Sequence, residues 1–235
     1  MPTSPKPELF WDFHGTLTLP DINWFDAAME AAAEQVPARP LNRQTLVRYF
    51  KGTCLPWFSI PSHDTRHLMP PGRWWAHCEA EFAAMFQRCG FTPEEAARIA
   101  PAMREKILQP HRYQLWPDAA STLQALQERG YRSYILSNNF PELGQIIQAL
   151  GLASYFELVL ISAQIGYDKP HPGIFAYAKS TVPASSSVWM IGDNPTDDIE
   201  GGRAAGFTTV AVHGVEAPRA HHHAPHLTDL LYLLQ

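Results

Sequence analysis

The stretch "FWDFHGTLT", Phe10 to Thr18, decides how the chain is read. Apolar residues running into an aspartate form the end of a buried strand that hands a carboxylate to a turn, and Gly15 permits that turn. Asp12 therefore stands at a strand end, with His14 two places further on. No second convincing strand follows until "YRSYILS", which begins at Tyr131. From Trp116 onward helix and strand alternate: "DAASTLQALQERG" leads into "YRSYILS", "PELGQIIQALG" into "FELVLIS", "HPGIFAYAKS" into "SSVWMIGD" and "TDDIEGGRAAG" into "FTTVAVHG", with "LTDLLYLLQ" closing the chain. Near-continuous apolar strands between helices predict a parallel sheet covered on both faces, and the right-handed crossover rule makes the early strand a central member. The expected fold class is α/β: a doubly wound, Rossmann-like parallel sheet with an inserted all-helical cap. The core takes residues 1–17 and 113–235, and the cap takes 18–112.

The insertion reads as helical throughout. "DINWFDAAMEAAAEQ" is alanine-rich, "NRQTLVRYFKG" has an Asn42 cap and a stop at Gly52, and "GRWWAHCEAEFAAMFQRCG" places Trp75, Cys78, Phe82, Met85 and Cys89 on one face. "FTPEEAARIAPAMREKIL" opens with a capping box, Thr92 and Glu95, with Pro93 at the first helical position, and Pro101 is expected to break or kink this helix. Between them, "KGTCLPWFSIPSHDTRHLMPPG" reads as a long proline-broken loop. Of Trp74 and Trp75, one is expected in the cap core and its neighbour partly exposed.

Bulk composition removes several classes of function. With 235 residues, 46% of them apolar, the chain can bury one good core. Its 18 basic and 23 acidic residues give a net charge of −5, which offers no footprint for nucleic acid and no basic face for a membrane. Three cysteines, Cys54, Cys78 and Cys89, have neither disulfide-framework nor zinc spacing and suit a reducing cytoplasm. No apolar run approaches the ~20 residues of a spanning helix. The tract "AHHHAPH", which carries His221 to His226, resembles a metal-binding run but lacks a carboxylate or cysteine to complete a site, so a surface loop is expected.

In open parallel sheets, ligands bind outside the carboxyl ends of the strands, where strand order reverses. Asp12, Ser137 and Asp193 each end a strand, so they should converge, with Lys169 of "GYDKPHP" entering from the side. Two carboxylates, a hydroxyl and an ammonium suit a divalent metal and a phosphate, and Mg²⁺ prefers such hard oxygen ligands. A metal between Asp12 and Asp193 would neutralise a dianion and let a carboxylate attack phosphorus.

These motifs carry a resemblance. "DFHGTLT", "YILSNN", "GYDKPHPGIF" and "MIGDNPTDDIEGGRAAG" are similar, in order, to the four motifs of the haloacid dehalogenase (HAD) superfamily, in the branch whose helical cap follows the first motif. The resemblance covers nearly the whole chain and implies a Mg²⁺-dependent phosphatase working through an aspartyl phosphate. Asp12 would be the nucleophile, Ser137 would bond the phosphoryl oxygens, and Lys169 would offset transition-state charge. Asp193 would hold the metal with Asp12 and the main-chain carbonyl of His14, while Asp198, in preference to Asp197, would support Lys169 or a metal-bound water. In capped relatives the loop after the first cap helices helps choose the substrate, so Lys51, Gly52, Trp57 and Arg66, with Arg73 and His63, are candidates for leaving-group contacts. Asn138 is a candidate substrate ligand, the backbone of Asn138 and Asn139 a candidate phosphoryl cradle, and Thr16 a brace beside the site. The implied partner is a small phosphorylated metabolite, with no nucleic acid and no membrane; the sequence does not fix an oligomeric state.

One position departs from the pattern. Phosphatases of the family place an acid/base aspartate where this chain has His14, and a histidine is able to move the same protons. Three readings follow: a phosphatase with His14 as substitute shuttle; another chemistry on the same scaffold, with metal-free dehalogenation or phosphonate cleavage through a cap lysine such as Lys51; or a metal- and phosphate-binding protein with little turnover.

Overall fold

The computed structural model describes residues 6–20, 23–50 and 55–235. Strand β1, Glu8–Trp11, is buried along its whole length. A helical insertion follows: α1 (Asn23–Gln35), α2 (Arg43–Phe50), α3 (Pro56–Ser59), α4 (Arg73–Arg88) and α5 (Pro93–Ile107). The chain then alternates through α6 (Ala119–Glu128), β2 (Arg132–Ser137), α7 (Leu143–Ala149), β3 (Phe156–Ile161), α8 (Ser162–Ile165), α9 (Pro172–Ser180) and β4 (Val188–Gly192). A π-helical turn, Pro195–Glu200, runs into α10 (Gly201–Ala204), and β5 (Thr208–Val212), β6 (His222–Ala224) and α11 (Leu230–Leu233) complete the chain.

The sheet is six-stranded, in the order β3-β2-β1-β4-β5-β6, and every pairing is parallel. The chain builds outward from β1 through β2 to β3, then returns to place β4 on the other side of β1. Strand order therefore reverses at β1, and the crevice between β1 and β4 is the place such a sheet offers a ligand. Side chains alternate across β1: Leu9 and Trp11 enter the apolar cluster on one face, with Leu123 and Leu126 of α6, while Phe10 enters the other, with Ile174 and Phe175 of α9. Glu8 is a buried carboxylate paired with Arg132, and the Tyr134 hydroxyl donates to it at 3.1 Å.

The first of these clusters continues through Phe13 and Leu17 into the insertion. There the alanine stripe of α1 (Ala27, Ala28, Ala31, Ala32) meets Ala96, Ile99, Ala100 and Met103 of α5, and the alanines let the two helices approach closely. Asn42 accepts from the Thr45 N–H at 3.0 Å, and Thr92 and Glu95 form the reciprocal capping box around Pro93. The stop expected at Gly52 lies outside the described residues.

Four expectations need correction. Helix α5 is not broken at Pro101: it runs unbroken to Ile107, because its buried face is held by α1 and α4 while Pro101 points to solvent. Trp74 and Trp75 are both buried, since Trp74 packs by Trp57 and Trp75 reaches Glu142 of the core, its indole N–H donating at 2.8 Å. The proline-broken loop contains α3 and a 3₁₀ turn, Arg66–Leu68. Finally, the histidine tract is no surface loop: His222–Ala224 is the edge strand β6, His221 accepts from the Thr209 N–H at 3.0 Å, and His222 stacks on Trp189. Among the described residues no helix is long and apolar enough to cross a membrane.

Pro101 leaves the Ala97 carbonyl without its helical donor. The Pro101→Ala variant is expected to be more stable by about 1–3 kcal/mol, read as a higher thermal midpoint; a lower midpoint would mean that the ring itself contributes packing.

Candidate active site

Beyond the carboxyl edge of the sheet lies a cavity of about 550 Å³. Its floor consists of Asp12, His14, Asn138, Lys169, Asp193, Asn194, Asp197 and Asp198, and its opposite wall comes from the helical insertion. The register explains the convergence: Trp11 lies level with Ile135 of β2 and Ile191 of β4, so the residues just beyond them leave the sheet at a common edge.

Lys169 is the centre of this floor. Its ammonium is almost wholly buried and donates to Asp12 Oδ1 at 2.8 Å and Asp198 Oδ1 at 2.6 Å. Burial by itself would favour the neutral amine, but the two carboxylates overcome it and hold the lysine above its ordinary value. Asp198 is committed at its other oxygen too, which accepts the Asn194 N–H at 3.0 Å. The lysine loop is fastened by Asn138, whose Oδ1 accepts from Lys169 N at 2.6 Å while its Nδ2 donates to Lys169 O at 2.9 Å.

Asp193 faces Asp12 across the switch point. Its Oδ1 accepts from the Thr16 hydroxyl at 2.7 Å, so Thr16 acts on the carboxylate rather than merely on the turn. Two glycines make room for the acids. A Cβ at Gly15, where φ is +79°, would lie 2.3 Å from Asp193 Oδ2, and one at Gly192 would lie 2.1 Å from Asp198 Oδ2.

Carboxylates outnumber ammonium groups here. Burial, with repulsion from Asp12, pushes Asp193 up to about 6; burial also pushes Asp197 up to about 6, against the pull of Lys169. Asp168, behind the floor, is pushed up to about 7, chiefly by burial. One carboxylate oxygen from each of Asp12, Asp193 and Asp198 lies within 4.8 Å of the others. Such a hard-oxygen set with surplus negative charge suits a small divalent cation.

The other expected residues lie as follows. His14 lines the cavity, its ring 5.5 Å from that of Tyr113. Ser137 is buried beneath the floor and accepts from Asn139 Nδ2 at 3.4 Å. The Asn139 N–H is engaged by Ser162 at 3.1 Å. Trp57 lines the cavity, whereas Arg66 pairs with Asp64 and lies over the Tyr167 ring, and neither His63 nor Arg73 is among the lining residues. Lys51 and Gly52 fall outside the described residues.

Two residues that the sequence did not suggest brace the first motif. The Trp116 indole donates to Gly15 O at 3.1 Å, and His213 Nε2 donates to Thr16 O at 2.9 Å. Their rings stack with centroids 3.9 Å apart, and burial lowers the His213 pKa although the bond to Thr16 O favours the protonated ring. Trp116 lies 101 residues from Gly15, and His213 lies 197 from Thr16, so no local pattern links them.

A sequence profile of haloacid dehalogenase-like hydrolases matches residues 9–206. The phosphoserine phosphatase of Thermus thermophilus is 36% identical over 137 residues, which are 57% of this chain and 53% of that protein. The chain spans between about two-fifths and two-thirds of the length of the curated relatives it matches. The HAD-hydrolase YfnB of Bacillus subtilis, crystallised bound to magnesium, superposes with a TM-score of 0.74 at 20% identity, covering 98% of this chain and 99% of that one. A 2-haloacid dehalogenase from Pseudomonas syringae gives 0.69 at 24% identity, with 98% of each chain covered. At such identities the likeness establishes the fold.

Removing the lysine charge leaves buried acids facing one another. The Lys169→Met variant is expected to lose about 3–5 kcal/mol of stability at neutral pH, measured by denaturant unfolding; a loss below about 1 kcal/mol would mean that water already screens the floor.

Proposed function

The chain belongs to the haloacid dehalogenase-like hydrolase family, and from that premise we propose that it is a phosphatase acting on a small phosphomonoester through an aspartyl phosphate on Asp12. The observation that carries the reading is the pairing of Asp12 with both the buried Lys169 ammonium and the Asp193 carboxylate at the cavity floor. Asp12 and Asp193, with the main-chain carbonyl of His14, would hold Mg²⁺, and the surplus of buried carboxylates supports that fit. Bound there, the ion would supply positive charge against the phosphoryl oxygens.

The chain's own residues account for the remaining steps. Asp12 attacks phosphorus, the bond to the alcohol oxygen breaks, and His14 gives that oxygen a proton. Lys169 stays charged between Asp12 and Asp198 and offsets the negative charge that builds on the phosphoryl group. Ser137, which accepts from Asn139, keeps its own hydroxyl proton for a phosphoryl oxygen. His14 then takes a proton from water as the water attacks the acyl phosphate, releasing phosphate and restoring Asp12. The helical insertion serves as the cap that keeps bulk water out while the intermediate forms.

Carbon–halogen cleavage fits this floor less well. In the metal-free form of that reaction the haloacid carboxylate would meet four acidic side chains, Asp12, Asp193, Asp197 and Asp198, with one lysine and no divalent cation to offset them.

Two experiments test the reading. Turnover of p-nitrophenyl phosphate is expected with Mg²⁺, to vanish in EDTA and in Asp12→Asn. His14→Ala should lose about 10²–10⁴-fold in kcat, and His14→Asp should retain or raise it. No turnover with Mg²⁺ overturns the phosphatase reading, and unchanged turnover in His14→Ala removes His14 from the mechanism.

The second concerns pH. Asp193 and Asp197 are raised to about 6 in the folded chain, against about 3.9 unfolded, so the folded state holds the extra protons between those values. Stability without a divalent cation should therefore fall as pH rises through about 6. Mg²⁺ should raise the thermal midpoint more at pH 8 than at pH 5, and equal shifts at the two pH values would contradict the assignment.

A further inference from the structure

The cavity is chemically divided. Its acids and Lys169 lie at the sheet edge, whereas the facing wall is built from Trp24 and Phe25 of α1, Phe50 at the end of α2, and Leu55, Trp57 and Phe58 around α3. Trp24, Phe50 and Leu55 are buried and form a firm backing. Trp57 stands edge-on to Trp24, with centroids 6.4 Å apart at 84°, and leans on Trp74 at 6.2 Å, so its ring is fixed from behind. Phe25 is held against Phe50 at 4.5 Å. Phe58, beside Trp57, is 58% exposed, a large apolar ring left open at a cavity that otherwise buries its aromatics.

That wall selects by charge and shape. Among the described lining residues Lys169 is the only lysine or arginine, and its ammonium already faces Asp12 and Asp198. Against these rings a leaving group bearing an ammonium, a carboxylate or a second phosphate would meet no counter-ion among the described residues of the wall, and its desolvation there would go unrepaid by them. A flat uncharged ring would pack on Trp57 and Phe58 and cover the apolar surface they leave open. The cavity, at about 550 Å³, falls within the range of about 300–1,000 Å³ usual for small-molecule sites.

We infer that the substrates are phosphomonoesters of uncharged, ring-bearing alcohols, with the ring seated on Trp57 and Phe58. The inference rests on the phosphatase reading above and adds to it the class of leaving group.

The test uses benzyl phosphate, ethyl phosphate, O-phosphoserine and glycerol 2-phosphate with the whole protein and Mg²⁺. All four are esters of aliphatic alcohols, so differences in kcat/KM report chiefly how the leaving group is held. Benzyl phosphate is expected to exceed each of the others by about tenfold or more. The benzyl-to-ethyl ratio should fall about three- to tenfold in Trp57→Ala and in Phe58→Ala, and Trp57→Phe should restore most of it. Phe58 is exposed, so its alanine variant tests the wall without unfolding the chain. A ratio near one in the wild type, a preference for O-phosphoserine or glycerol 2-phosphate, or ratios unmoved by both alanine variants would overturn the inference while leaving the phosphatase reading intact. If none of the four is hydrolysed while p-nitrophenyl phosphate is, the inference falls and the phosphatase reading stands; if p-nitrophenyl phosphate is not turned over either, both fall.

Discussion

An ammonium group almost sealed from water, held at 2.8 Å from Asp12 and 2.6 Å from Asp198, is the constraint around which the site is arranged. A charge in that position is tolerable only if its partners are placed well and stay ionised. The rest of the floor supplies that placement. Asn138 clamps both sides of the Lys169 backbone, the Asn194 N–H takes the free oxygen of Asp198, and Gly192 keeps the approach to that carboxylate open. The lysine thus ties together three segments far apart in the chain, the first strand, the loop before α9 and the turn after β4.

The same arrangement leaves negative charge over. Lys169 answers two carboxylates, while Asp193 and Asp197 remain, each raised to about 6 by burial. Folding normally avoids such crowding, since buried like charges oppose the compact state. Its persistence at the topological switch point, on turns shaped by Gly15 and Gly192, marks a place where the protein concentrates negative potential. The Trp116 and His213 brace holds Gly15 and Thr16 against this repulsion, and Thr16 in turn orients Asp193. Opposite this polar floor stands a wall of rings carried by the insertion. One cavity therefore joins two environments of opposite character, which the chain builds from separate parts of its length.

Much of this was legible along the chain. Alternating apolar strands and helices after Trp116 dictate a parallel sheet, and strand-end aspartates in such a sheet must share an edge, because parallel strands all point their carboxyl ends the same way. Asp12, Ser137 and Asp193 could be placed together on that ground, with Lys169 entering from its loop, whereas Asp198 followed only from the family resemblance. The capping box at Thr92 and the Asn42 cap were equally plain, since a cap is a contact between residues three apart.

Other features were settled only by long-range packing. Strand β6 carries histidines rather than β-branched residues, and it pairs because β5 offers an open edge. Pro101 stays inside a helix because α1 and α4 hold its neighbours, and Trp74 and Trp75 are both buried because the core supplies Glu142 beneath one of them. The role of Asn138 as a clamp and the brace of Trp116 and His213 on the first motif involve partners from 31 to 197 residues apart. Periodicity and local propensity record what each segment does with its own neighbours. Which side chains from distant segments come to face one another is decided by how helices and sheet pack, and for this chain that packing determines both what steadies the acids and what the substrate meets above them.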